Sequence, residues 1–102
     1  MGIKVKVTGD FAEAYDELVK SEPELLDKID STVELFGTNP KDTRLGVHAL
    51  MKRMKGKWAM GIMGDESDDL RIVFEWLGSN SVRLIMIGPH PLVYARKRLG
   101  AK

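Results

Sequence analysis

Apolar and polar positions alternate from the start of the chain. Ile3, Val5 and Val7 oppose Lys4, Lys6 and Thr8, which is the period of a half-buried strand. Lysines on its outer side suit a sheet edge. Gly9 and Asp10 then read as a turn and helix cap, with Glu13 placed as in a capping box. Phe11, Tyr15, Leu18 and Val19 follow at helical spacing. Ser21-Glu22-Pro23 interrupts this stripe, and Pro23 suits the first turn of a second helix. That helix carries Leu25, Leu26, Ile29, Val33 and Phe36 and ends at Gly37. Two amphipathic helices so closely joined predict an antiparallel hairpin.

Residues 38–57 are polar, basic and irregular, with Asn39-Pro40, Gly46 and Gly56 as breakers. The period then becomes two. Strands are expected over Trp58–Met63 and Leu70–Leu77, and over Val82–Ile87, whose nearly unbroken apolar run suits a central strand. Turn-rich connections at 64–69 and 78–81 join them into a three-stranded antiparallel meander. Residues 91–99 suit a short basic helix. The expectation is one α+β domain over residues 1–102: a strand, a helical hairpin, the meander and a small C-terminal helix. Two helices cover one face of such a four-stranded sheet. On the strand 70–77, Leu70, Ile72, Phe74 and Trp76 then face the core. Arg71, Val73 and Glu75 take the uncovered face, where Arg71 meets water or a ligand.

Composition narrows the chemistry. The chain has no cysteine, which excludes disulfides, thiolate catalysis and cysteine-ligated metals, and only His48 and His90 as histidines. No metal and no other cofactor is therefore expected. The alternating start is no signal peptide, and no apolar run approaches the ~20 residues of a membrane-spanning helix. A soluble, cytoplasmic protein without membrane contact is expected. The net charge is only +1, but it is unevenly spread. Asp10 to Phe36 holds nine acidic and two basic residues, whereas Lys41 to Trp58 holds six basic and one acidic. Four more cations lie between Arg96 and Lys102. Such segregation makes a bipolar surface, and a basic face is a footprint for phosphate. Two solvated faces of opposite sign are the plainer reading of charge alone.

The ordered set His48-Ala49-Leu50, a basic loop, Gly56-Lys57-Trp58, Leu70-Arg71-Ile72-Val73-Phe74 and Ile87-Gly88-Pro89-His90-Pro91-Leu92-Val93-Tyr94 resembles the RelE/ParE toxin superfamily. The likeness runs from about Phe11 to Tyr94. Within the superfamily it is nearest to the mRNA-interferase branch of RelE, YafQ and YoeB. The resemblance implies a toxin of a type II toxin–antitoxin module, held inactive by an antitoxin protein. Freed, it would cut mRNA on the ribosome as a metal-free endoribonuclease, with no DNA contact by the toxin alone. By matching position, the resemblance makes His48, Arg71, His90 and Tyr94 the catalytic set.

Each of these residue types suits the task. Metal-free RNA cleavage needs a base for the 2′-OH, an acid for the leaving 5′-oxygen and a cation at the phosphate. Histidine titrates near pH ~6.5, so His48 and His90 are apt proton carriers. His90 lies between Pro89 and Pro91, which narrow its backbone range. Arg71 offers a planar, permanent charge, and Tyr94 a ring for stacking on a base. Lys52, Arg53, Lys55 and Lys57 are the candidate RNA-binding cations. The bland alternatives are a capping His48, a rigid turn at His90, an ion pair of Arg71 with Glu75 or a neighbouring carboxylate, and core packing by Tyr94. The methionines at 51, 54, 60, 63 and 86 read as core or groove filling.

Three departures from the branch pattern stand out. No histidine occurs on the strand after the basic loop, Asp68 and Asp69 share the place of one acidic residue, and Pro91 follows the closing histidine. They keep two rivals open. One is a ParE-like protein that inhibits a target such as DNA gyrase by contact; the other is an inactive homologue that only binds an antitoxin.

Overall fold

The computed structural model describes residues 2–65 and 69–89. Strand β1 (Lys4–Val7) leads into helices α1 (Gly9–Ser21) and α2 (Leu25–Thr38). Strands β2 (His48–Ala49), β3 (Trp58–Gly61), β4 (Leu70–Trp76) and β5 (Ser81–Pro89) follow. They form one mixed sheet in the order β1-β5-β4-β3-β2, parallel only between β1 and β5. The α+β order and the meander are as expected, and lysine-bearing β1 is indeed an edge. The sheet gains one strand over the expected four, because His48–Ala49 pairs with Trp58–Ala59. Two residues are too short to leave a period in a sequence. The expected helix 91–99 lies outside the described residues.

Helix α1 begins two residues earlier than its sequence suggests. The cap is Thr8, not Asp10: the Thr8 hydroxyl accepts the Phe11 N–H at 3.0 Å. The same hydroxyl donates to the Ile85 carbonyl at 2.8 Å, and the Thr8 N–H donates to the Leu84 carbonyl at 3.0 Å. One side chain thus starts a helix and fixes it to β5. Phe11 is buried and Tyr15 and Leu18 pack beside it, as the stripe predicts.

Helix α2 turns Leu25, Ile29, Thr32 and Phe36 inward. Thr32 is fully buried and its hydrogen bonds are complete. Its hydroxyl donates to the Lys28 carbonyl at 2.8 Å and accepts from the Met63 N–H at 2.9 Å, tying the helix to the end of β3. Phe36 meets Phe74 edge-on at 4.9 Å between centroids, and Trp76 closes the cluster at 5.8 Å from Phe36. The rest of the core is Met60, Ile62, Leu70, Ile72, Val82, Leu84 and Ile87 from the sheet, with Leu45 from the connection. Met60 fills core as expected, whereas Met51 is 77% exposed.

A bulge organises β5. Ile72 pairs with Ile87 and Val73 with Met86, yet Phe74 pairs with Leu84, so Ile85 is an extra residue. Side-chain alternation is reset there: Val82 and Leu84 face the core before it, and Ile87 after it. The Ile85 carbonyl is the one that Thr8 takes.

On the helix side, Val5, Val7, Phe11, Tyr15, Ile29, Val33 and Leu84 line an apolar crevice of about 450 Å³ beside β1. It lies across the sheet from Arg71 and His48. Within it the Tyr15 hydroxyl donates to Asp30 Oδ1 at 2.8 Å. Burial first, then this bond and the charges of Asp30 and Asp16, push the Tyr15 phenol up to about 12.

Replacing Thr8 with valine, which keeps shape and loses both hydroxyl bonds, is expected to lower unfolding stability by about 1–2 kcal/mol in urea titrations. Thr8→Ser should stay within about 0.5 kcal/mol; equal losses in both would refute the hydroxyl's double role. Tyr15 favours its neutral form in the fold, so its contribution is whole below pH ~10 and lost as pH rises through about 12. Ultraviolet titration of phenolate in the Tyr94→Phe protein should show that late midpoint. Ionisation near pH ~10 would mean the Asp30 bond is not formed.

Candidate active site

The connection after α2 is shaped to deliver His48 to the sheet. Asp42 caps a short 3-10 turn, Thr43–Leu45, by accepting the Arg44 N–H at 2.9 Å. It also takes the Arg44 guanidinium bidentately, at 3.0 and 2.9 Å. These Arg44 bonds, more than its charge, hold the Asp42 carboxyl down at about 2. Leu45 drops into the core, and Gly46 reverses the chain at φ 59°, a conformation that glycine adopts without steric cost. Two residues later, His48 Nδ1 lies 2.9 Å from the Gly46 carbonyl. A carbonyl only accepts, so Nδ1 carries the proton and a neutral ring presents Nε2 as a base. His48 is exposed, on the edge strand rather than in a loop.

The sheet face opposite the helices falls into three rows across the strands. The first is Gly61–Arg71–Gly88. The Arg71 side chain is half-buried, and its Nη1 donates to the Leu70 carbonyl at 2.9 Å. A glycine on each side means that neither neighbouring strand raises a side chain next to the guanidinium. The second row is His48–Ala59–Val73–Met86. Its middle is low, because Ala59 and Val73 are short, and both are buried. The third row is Lys57–Glu75–Arg83, extended by Lys6, which pairs with Arg83 across the β1–β5 boundary. Small residues thus make a trough, with Arg71 at one end, His48 on one wall and a charged row at the other end.

Spacings place the candidates. His48 is two strands and two residues from Arg71, so their Cα atoms are ~12 Å apart. Strand β5 ends at Pro89, opposite Leu70, and the preceding Gly88 faces Arg71. His90 and Tyr94 lie outside the described residues. The carboxylate considered as a partner for Arg71, Glu75, is engaged by Lys57 at 3.3 Å and Arg83 at 3.2 Å.

The basic run divides. Lys52 and Lys55 are exposed around a 3-10 turn, Lys52–Met54, whose backbone includes Arg53. Lys52 itself stands at φ 57°, a left-handed conformation that costs a non-glycine residue roughly 1–2 kcal/mol. Lys57 leaves this turn for the sheet face. Sequence reasoning missed Gly61, Gly88, Glu75 and Arg83 as parts of the site. The even spacing of Lys57, Glu75 and Arg83 across strands has no counterpart along the chain, so no sequence signal marks it. Among the described residues, no group of three histidine or carboxylate side chains is arranged to hold a metal ion. None of their helices is long and apolar enough to cross a membrane.

Solved structures share this architecture. YafQ from Escherichia coli strain BL21(DE3) superposes with a TM-score of 0.71 at 16% identity, over 90% of this chain and 98% of that one. This is the RelE/ParE toxin fold. A YoeB/ParE toxin from Agrobacterium tumefaciens gives 0.70 at 19% identity, over 86% of this chain and 99% of that one. The E. coli DinJ–YafQ toxin–antitoxin complex contributes a third match, 0.70 at 14% identity, covering 92% and 99%. No family model and no curated protein matches the sequence. At such identities the likeness is one of fold, and residue roles rest on the geometry above. That geometry is the sheet face opposite the helices, with a buried floor at Ala59, Val73 and Gly88 and one half-buried arginine flanked by glycines.

The hydrogen bond from His48 to Gly46 can be checked directly. Nitrogen-15 spectra at a pH where the ring is neutral should show the Nδ1–H form of His48, and Gly46→Ala should erase that preference. A dominant Nε2–H form in the parent would refute the base-ready orientation.

Proposed function

We propose that this chain is the toxin of a type II toxin–antitoxin module and a metal-free endoribonuclease that cuts mRNA on the ribosome. The observation that carries the reading is Arg71 between Gly61 and Gly88, at the head of a trough whose wall bears His48. A permanent cation in a space left by two glycines suits a phosphodiester and the added charge of its pentacoordinate state. His48 Nε2 takes the proton of the 2′-OH. The 2′-oxygen attacks the adjacent phosphorus, the bond to the 5′-oxygen breaks, and His90 supplies the proton to that leaving oxygen. The products are a 2′,3′-cyclic phosphate and a free 5′-OH. Tyr94 stacks on a base, and Lys52, Arg53, Lys55 and Lys57 contact backbone phosphate. The likeness to YafQ, solved with its antitoxin DinJ, supports an antitoxin as the regulating partner.

One observation favours a second reading. The stretch Ala59 to Ile62, whose Ala59 pairs with His48, holds no histidine, whereas the interferase-branch pattern carries one on this strand. A trough without that proton carrier fits a ParE-like toxin that blocks a protein target such as DNA gyrase by contact.

Cleavage in a translating extract, mapped by primer extension, separates the two. Codon-phased cuts are expected from the parent. Arg71→Ala and His90→Ala should each slow cutting by about 10²–10³-fold, the scale of losing one transition-state contact or one proton carrier. Intact mRNA together with inhibited gyrase would establish the rival.

A further inference from the structure

The charged row at the far end of the trough has no part in the proton transfers. Glu75, in the middle strand, accepts from Lys57 Nζ through one oxygen at 3.3 Å and from Arg83 Nη1 through the other at 3.2 Å. The carboxylate thereby sets both cations at once. Its side chain and that of Lys57 are only 24% and 25% exposed, so the link is partly sheltered from water. Lys6 adjoins Arg83 on the edge strand. Three cations and one carboxylate give the row a net charge of +2. An ammonium has three donors and a guanidinium five, so one bond each to Glu75 leaves most of their donors for an anion. Exposed ion pairs add only ~0–1 kcal/mol to a fold, which is little reason to set three cations and one carboxylate in a line.

We propose that Lys57, Arg83 and Lys6 form a track for the backbone phosphates of single-stranded RNA, and that Glu75 is the positioning residue that holds two of them in line. This rests on the nuclease reading and assigns its substrate a path. Glu75 is four residues from Arg71 on one strand, ~13 Å away, so a phosphate on the track is not the one being cut. The strand of RNA enters across β1, β5, β4 and β3 at this end, and then runs down the trough to Arg71. The track therefore contributes to binding and register rather than to the chemical step.

A labelled single-stranded 2′-O-methyl RNA tests this, because a blocked 2′-oxygen keeps binding separate from cleavage. Each phosphate contact contributes ~0.7 to the slope of log affinity against log salt. The Lys6→Gln/Arg83→Gln protein should lose ~1.4 of that slope. Glu75→Ala raises the net charge by one, yet should weaken binding about fivefold by releasing the two cations. Tighter binding by Glu75→Ala would overturn the positioning role, and an unchanged slope in the double variant would overturn the track. Equal affinity for an RNA duplex would assign the row to structured RNA instead of a substrate strand. Either failure leaves the nuclease reading standing if the parent still cuts mRNA in extract. Loss of cutting in the parent, with the slope change intact, would do the reverse.

Discussion

The extra residue at Ile85 is the constraint on which the rest depends. A strand shows alternate side chains to opposite faces, so one inserted residue exchanges the faces beyond it. Before the bulge, Val82 and Leu84 enter the core and Arg83 faces the open side; after it, Ile87 enters the core and Gly88 lies opposite Arg71. With continuous alternation from Leu84, Met86 would point into the core and Ile87 would lie beside the site. A bulge exposes a carbonyl that the ladder no longer uses, and here the Thr8 hydroxyl takes it while capping α1. The placement of α1, the register of β5 and the space beside Arg71 thus follow from one local irregularity.

The sheet face opposite the helices owes its form to the helix-covered one. With α1 and α2 packed over the inward row, the large apolar residues Phe36, Phe74, Ile72 and Leu84 are used on that side. What remains outward on the three central strands is mostly short (Ala59, Gly61, Val73, Gly88) or charged (Arg71, Glu75, Arg83), with Met86 a large apolar residue among them. Short residues make a trough and long charged ones border it. The acidic residues are concentrated on the helices and the basic ones in the connection before β3 and along the tail. Among the described residues, the bipolar charge therefore separates the helix layer from the connection that leads into β3. An anion is steered towards the cationic side, and less so as salt rises.

Arg71 illustrates how burial and function meet. A surface arginine usually extends into water, where it contributes little. Here the side chain is half-buried and anchored on the Leu70 carbonyl, between two residues without side chains. Such a charge has lost part of its hydration before a ligand arrives, and the ligand's charge replaces it at smaller cost. Glu75 is occupied with Lys57 and Arg83, so the carboxylate nearest along the strand does not need Arg71 to be satisfied.

Much of the fold was legible because it is periodic. The helical stripe through Leu25, Ile29 and Phe36 and the alternation from Leu70 to Trp76 each state which side is buried, since burial of apolar area is a one-dimensional pattern in helices and strands. Arg71's face followed from that parity alone. Other features have no such trace. Thr8 caps α1 instead of Asp10 because its hydroxyl meets a carbonyl 77 positions away. Buried Thr32 is acceptable only because the Met63 N–H arrives to complete its hydrogen bonding. The two-residue strand at His48 exists only beside Trp58 and Ala59. By itself the sequence determined both helices and four of the five strands, their order and the side of the sheet that carries charge. Only the tertiary structure decided the bulge, the glycines beside Arg71 and the union of Lys57, Glu75 and Arg83, because register is a relation between strands and not a property of any one of them.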